Sequence, residues 1–165
     1  MGSTKTMVLD HASILTKLER MACEICEKHT SSERLLICGL NQRGFFLATE
    51  ISNYIVKILP LLKTELIQID THSGNEPVFS PNPAFEAQHV LLVDDVINTG
   101  FTLMQVLQKV FSQKPLSIGT AFLAKREHRN FPVKADYVGI SLATTLQQHV
   151  NFDNSNSSNL QVYLS

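Results

Sequence analysis

The sequence predicts an α/β fold: a doubly wound, mostly parallel sheet with a small antiparallel C-terminal hood. Short apolar runs alternate along the chain with segments of helical periodicity, the order expected of a parallel sheet covered on both faces. One run, His89-Val90-Leu91-Leu92-Val93, passes through Asp94-Asp95 and a Thr-Gly-x-Thr loop directly into a helical segment, as a buried parallel strand turning into a helix does. Near the end, the stretches 149–152 and 160–164 flank Asp153-Asn154-Ser155-Asn156 and read as a hairpin.

Each element has its own local signature. Asp10 or Ser13 caps a first helix, whose stripe Ile14, Leu15, Leu18, Met21, Ala22, Ile25 and Cys26 recurs at helical spacing. That helix runs to about His29-Thr30, where Ser31 and Ser32 break it. Leu35 to Cys38 is a short buried strand, followed by the loop Gly39-Leu40-Asn41-Gln42-Arg43-Gly44 and a helix from Phe45 to Ile58. Glu65 to Ile69 is the second strand. The segment from Thr71 to Gln88 carries Gly74, Pro77, Pro81 and Pro83 and is too broken for a helix. The Asp-Asp strand and its helix, to about Phe111, come next, then strands at Ser117–Leu123 and Tyr137–Gly139. No repeat, linker or low-complexity segment divides the chain, so 1–165 is expected to be one domain.

At 165 residues, with 44% hydrophobic and 18% charged residues, the chain has the size and composition of a globular domain with a substantial core. A net charge of −1 gives no whole-molecule basic signal for nucleic acid, though a local patch stays open. No apolar run approaches the roughly 18 residues of a membrane span, and no secretory leader opens the sequence, so no membrane partner is expected. The odd set Cys23, Cys26 and Cys38 argues against a disulfide framework and for a reducing cytoplasm. Cys23-x-x-Cys26 with His29 has a spacing that can hold metal, but Cys26 already belongs to the apolar stripe and no second Cys/His pair lies nearby. A core role is the better reading.

The chemistry concentrates at the Asp-Asp turn. A helix start offers free backbone N–H groups and a positive dipole end, which suit a phosphate. Gly100 lets the backbone approach the anion, and Thr99 and Thr102 add hydroxyl donors. Asp94 and Asp95 are acceptor-only groups suited to sugar hydroxyls or a hydrated Mg²⁺. Phosphate, diol and metal together describe a phosphorylated ribose. Other readings fail: the chain contains neither G-x-x-x-x-G-K-[ST] nor G-x-G-x-x-G, and a receiver-type acidic pair would follow the first strand. The glycines around Asn41-Gln42-Arg43 permit positive φ there, turning N–H groups toward a ligand. Ligands of doubly wound sheets bind beyond the carboxyl ends of the strands, so both loops should open onto one crevice.

This stretch closely resembles the phosphoribosyl-pyrophosphate (PRPP) motif of the type I phosphoribosyltransferases, with Asn98 where the motif usually has a small residue. The resemblance implies that Val96, Ile97, Asn98, Thr99, Gly100, Phe101 and Thr102 bind the 5′-phosphate. It assigns Asn41, Gln42, Arg43 and Gly44 to pyrophosphate, and Asp94 and Asp95 to the ribose hydroxyls and, largely through PRPP and water, to Mg²⁺. Asp94, Asp95 and Arg43 are the implied catalytic residues. A longer similarity, through Arg126, His128, Arg129, Pro132 and Ala135 to Gly139, is to the family of bifunctional pyrimidine-operon regulators and uracil phosphoribosyltransferases. It implies a base pocket near Arg126, His128, Arg129 and Tyr137, a nucleobase substrate that is most readily uracil, a homo-oligomer such as a dimer, and RNA as a possible partner.

Lys125 and Glu127 depart from that family, which has Asp and Gly there. A larger departure concerns the lid: the family carries a basic residue in the loop after the second strand. Here no Lys or Arg occurs between Lys63 and Lys109, and His72 is the only candidate cation. Either His72 supplies the charge beside leaving pyrophosphate, or it is a loop-tip residue with no role and turnover lacks that electrostatic contact. The alternative function is a nucleotide-sensing, RNA-binding regulator with little or no turnover.

Overall fold

The chain, seen in a computed structural model, is described for residues 5–145 and 147–165. Its elements are β1 (Thr6–Leu9), α1 (His11–Lys28), β2 (Arg34–Leu40), α2 (Asn41–Ile58), β3 (Lys63–Asp70), β4 (Val78–Ser80), β5 (His89–Ile97), α3 (Phe101–Phe111), β6 (Ser117–Arg126), β7 (Tyr137–Leu142), β8 (Val150–Asp153) and β9 (Gln161–Leu164). A six-stranded sheet has the order β4-β3-β2-β5-β6-β7, and a three-stranded sheet has the order β1-β9-β8. In the large sheet only β4 runs antiparallel to its neighbour.

Both faces of the large sheet are buried, which explains the unbroken apolar runs of β2 and β5. Leu35, Ile37, Leu91 and Val93 face α1 and α2, meeting Ile14, Leu18, Met21, Ile25, Leu47, Ile51 and Ile55. The alternate residues Leu36, Cys38, Val90 and Leu92 face α3, meeting Leu103, Val106, Val110 and Phe85. Each fully buried Ile or Leu contributes about 1.5–3 kcal/mol, so the sheet is a rigid base for the turns at its ends. Asp10 caps α1, its Oδ1 accepting from the Ser13 amide at 2.9 Å.

Strand order and helix placement locate the crevice. From β2 the chain crosses by α2 outward to β3; from β5 it crosses by α3 outward in the other direction, to β6. The carboxyl ends of β2 and β5 are therefore adjacent, with Gly39 registered on Val93, and the connections leave from opposite faces. This reversal is where ligands of such sheets bind.

Three elements differ from the sequence expectation. α2 begins at Asn41, not Phe45, so the expected loop residues Asn41 to Gly44 form the first helical turn. β1 adds a strand to the hood, pairing antiparallel with β9, so the hood joins both ends of the described chain. β4 adds a short edge strand inside the Pro-rich segment, with Phe79 buried against Phe85. In the Cys-x-x-Cys pair, Cys26 is buried and Cys23 exposed, while burial pushes the Cys38 thiol up to about 12.

Candidate active site

The pairing of β2 with β5 stops at Gly39 and Val93. Asp94 and Asp95 are thus the first residues of β5 with no strand beside them on that side; the start of α2 takes its place. A Cβ on Gly39 would sit 2.3 Å from the Phe45 Cα, and one on Gly44 would sit 2.6 Å from the Val93 carbonyl. These glycines are required by close packing, not by positive φ as the sequence reading held. The left-handed residue is Asn41, at φ 55°.

A cleft of about 410 Å³ opens at this point, lined by Leu40, Asn41, Gln42, Arg43, His72, Asp94, Asp95 and Thr102. Of the two loops expected to share a crevice, the start of α2 lines this cleft and the β5–α3 turn enters it through Thr102. Leu40 gives α2 no side-chain cap, so the first amides of the helix are free donors. Arg43 Nη1 lies 3.7 Å from Asp95 Oδ2. Burial, and then the charge of Asp95, hold the Asp94 carboxyl well above the usual carboxylate range, while Arg43 pulls it back. The two carboxylates also order their own strand end: Asp94 Oδ1 accepts from the Asp95 amide at 2.9 Å and Asp95 Oδ1 from the Val96 amide at 2.8 Å.

The second turn forms a smaller cavity of about 80 Å³ running from Asp94 past Val96, Ile97, Asn98, Thr99, Gly100, Phe101 and Thr102 to Phe122. Gly100 caps α3 in the left-handed region at φ 85°, and Thr99 Oγ1 accepts from the Phe101 amide at 3.3 Å. The segment after β6 packs on this turn. The amides of Asn130 and Phe131 donate to the Thr99 carbonyl at 3.0 and 3.2 Å, and the Phe131 ring stands 5.6 Å from that of Phe101.

The expected base-pocket residues divide. Arg126 donates to Thr144 Oγ1 at 2.8 Å and to the Thr145 carbonyl at 3.1 Å. Arg129 donates to the Val133 carbonyl at 3.1 Å, and His128 is exposed. These three belong to the segment beside the phosphate turn. Tyr137 is not brought to them. It is registered on Ala121, whereas Arg126 is registered on Leu142, a separation of about 16 Å along the strand. Tyr137 lines a different cavity with Lys28, His29 and Gly119, where β6 begins.

The segment after β3 has fixed attachments. Asp70 Oδ1 accepts from the amides of His72 and Ser73 at 2.8 and 3.2 Å, and Ser73 Oγ donates to Asp70 Oδ2. These bonds, the Ser73 hydroxyl first, lower the Asp70 pKa. Lys109 is spent on Glu76, at 2.7 Å, which ties the segment to α3. The residue of this segment that lines the cleft is His72. Thr71, which sequence reasoning passed over, bonds Asn41 through both its amide and its hydroxyl.

Comparison with known proteins agrees with this fold. The family model described as "phosphoribosyl transferase domain" matches residues 4–154. The chain is 34% identical over 159 residues to the "Bifunctional protein PyrR" of Clostridium kluyveri, covering 90% of each. To the protein of the same name from a Geobacter species it is also 34% identical, over 156 residues and 88% of each. The fold is similar to that of a hypoxanthine phosphoribosyltransferase of Trypanosoma cruzi, with a TM-score of 0.80, 18% identity and 95% of each chain covered.

Proposed function

The chain belongs to the phosphoribosyl transferase domain family, and we propose that its cleft transfers ribose 5-phosphate from PRPP to uracil with release of pyrophosphate. The observation that carries this reading is the meeting of two helix-starting turns around Asp94 and Asp95 in one cleft, which also admits Arg43 and His72. One turn suits the 5′-phosphate and the other the pyrophosphate, with the acid pair between them at the ribose.

Val96 to Thr102 hold the 5′-phosphate through the amides at the start of α3 and the hydroxyls of Thr99 and Thr102. The free amides of Asn41 to Gly44, with Arg43, take the charge of departing pyrophosphate. Asp94 and Asp95 accept from the ribose hydroxyls and orient the ring. As the bond to pyrophosphate breaks, C1′ becomes oxocarbenium-like, and its positive charge offsets the burial and the Asp95 repulsion that together raise Asp94. The pair therefore favours the transition state over the ground state. A nitrogen of the base, held beside Arg126, His128 and Arg129, then attacks C1′ as the C1′–O bond to pyrophosphate breaks, and its N–H proton passes to solvent water. Positioning and charge stabilisation supply the catalysis, with no protein nucleophile.

The same acid pair fits Mg²⁺. Among the described residues no three His, Cys, Asp or Glu side chains gather around a metal-sized point. Two oxygen acids at the cleft edge match an ion that takes one or two carboxylates and fills its shell with water and substrate phosphates. Bound with PRPP, Mg²⁺ would neutralise charge on the pyrophosphate.

A second reading, a nucleotide-sensing regulator that binds RNA, is favoured by one observation: the segment after β3 offers the cleft His72 and no Lys or Arg. A homo-oligomer and a cytoplasmic location complete the proposal. The apolar residues left exposed along α3, Phe101, Met104 and Phe111, are consistent with a second copy, and the three free cysteines suit a reducing compartment. No helix among the described residues is long and apolar enough to cross a membrane. Incubation with labelled PRPP, Mg²⁺ and uracil tests the main reading and should yield UMP and pyrophosphate. PRPP and RNA binding without product from any nucleobase would favour the regulator.

A further inference from the structure

We propose that Thr71 is a positioning residue for pyrophosphate: by clamping Asn41 it holds the first turn of α2 in the conformation that aims its free amides into the cleft. The inference rests on the reading of that cleft as a PRPP site.

Asn41 stands at φ 55°, a left-handed conformation that asparagine reaches more readily than most residues with a Cβ but that still costs backbone strain. Its support comes from 30 residues away, across the end of β3. The Thr71 amide donates to Asn41 Oδ1 at 3.0 Å, and Asn41 Nδ2 donates to Thr71 Oγ1 at 2.9 Å. The Thr71 hydroxyl also lies 3.2 Å from Asn41 Oδ1, to which it can donate, so Thr71 occupies both ends of the Asn41 amide and that side chain does not cap its own helix. Leu40, before it, has no side-chain acceptor to offer. The amides of the first turn keep neither an intrahelical partner nor a cap, and Asn41, Gln42 and Arg43 all line the cleft.

Thr71 is also the residue at which the segment after β3 leaves the sheet. Its other neighbour, Asp70, fixes the amides of His72 and Ser73. The clamp therefore ties the pyrophosphate turn to the root of the loop that carries His72. Thr71 touches no reacting atom; it acts through Asn41.

The test compares wild type, Thr71→Val, Thr71→Ser and the double variant Thr71→Val/Asn41→Gly by calorimetry with Mg²⁺-PRPP and, separately, UMP. Valine keeps the shape and backbone donor but loses the hydroxyl. Loss of the hydroxyl's bonds to Asn41 should weaken PRPP binding about five- to tenfold, with UMP affinity unchanged, because UMP carries no pyrophosphate to meet the start of α2. Serine should restore PRPP affinity. Glycine at 41, which reaches positive φ unaided, should recover part of the loss in the double variant. Unchanged PRPP affinity in Thr71→Val overturns the proposal. Equal loss of PRPP and UMP with a lowered Tm also overturns it, because the residue is then merely structural. A wild type that binds UMP but no PRPP overturns the pyrophosphate reading itself, a result visible before any variant is made.

Discussion

The two turns of the cleft do the same work by different means. After β5, Gly100 enters the left-handed region and α3 starts at once; the conformation is written in one residue. After β2, Asn41 occupies the same region and is held there by Thr71, 30 residues along the chain. The glycines beside it, Gly39 and Gly44, serve the approach of α2 to the strand ends. At Gly100 the left-handed conformation needs no partner, although the amides of Asn130 and Phe131 also brace that turn at the Thr99 carbonyl. A turn stabilised by a distant side chain inherits the motions of the segment that carries it. On the proposed reading, the pyrophosphate side is thus the adjustable half of the cleft and the 5′-phosphate side the fixed half.

The largest effect should come from breaking the fixed half. Gly100→Val places a β-branched residue at φ 85°, and its Cβ would meet Val133 Cγ2 at 2.5 Å. The strain of a left-handed β-branched residue alone is on the order of 1–2 kcal/mol, and the phosphate approach is blocked besides. UMP and PRPP binding should both be lost, and Tm should fall. Normal UMP binding by this variant would remove the turn from the phosphate site.

Next in size is the adjustable half. His72 faces the cleft, while Ser73 is tied back to Asp70, so position 72 is the place to add a cation. His72→Arg should raise kcat about tenfold to a thousandfold, the range for one added charge-stabilising contact. It should lower KM for PRPP by less, because the gain appears mainly as pyrophosphate leaves. An unchanged kcat would mean that the leaving charge is met elsewhere.

The smallest expected effect is on stability. The folded Asp94 carboxyl titrates well above its ordinary 3.8. Its contribution is complete below about pH 4 and is lost as pH rises through the raised folded value, because the unfolded chain loses that proton first. Without ligand, wild type should therefore lose up to about 1.4 kcal/mol per pH unit relative to Asp94→Asn within that window. Parallel stability curves from denaturant unfolding would show that the pair is less strained than the geometry implies.

The same contrast explains what the sequence disclosed. The β5–α3 turn was legible because every cue is local: an apolar run, two acids, Gly100 and a helical period within one stretch. The start of α2 was misplaced by four residues because Arg43-Gly44 reads as a turn, and the contact that requires Gly44, with the Val93 carbonyl, is visible only in three dimensions. β1 escaped notice for a related reason: Thr6–Leu9 has a partly exposed pattern and acquires its partner only at Gln161–Leu164. β4 is three residues long among prolines. Tyr137 was grouped with Arg126 by the family resemblance of the segment that holds both, and strand register separates them. Thr71 carried no signal at all, since an isolated threonine after a strand is ordinary.

The most direct measurement of the central claim is calorimetric titration of Mg²⁺-PRPP into wild type and Asp94→Asn/Asp95→Asn, with unfolding curves for both. The expected result is saturable binding to wild type and none to the double variant, which stays folded because strand-end acids serve ligand more than core. Equal PRPP affinity in the two folded proteins would contradict the assignment of this cleft as the phosphoribosyl site.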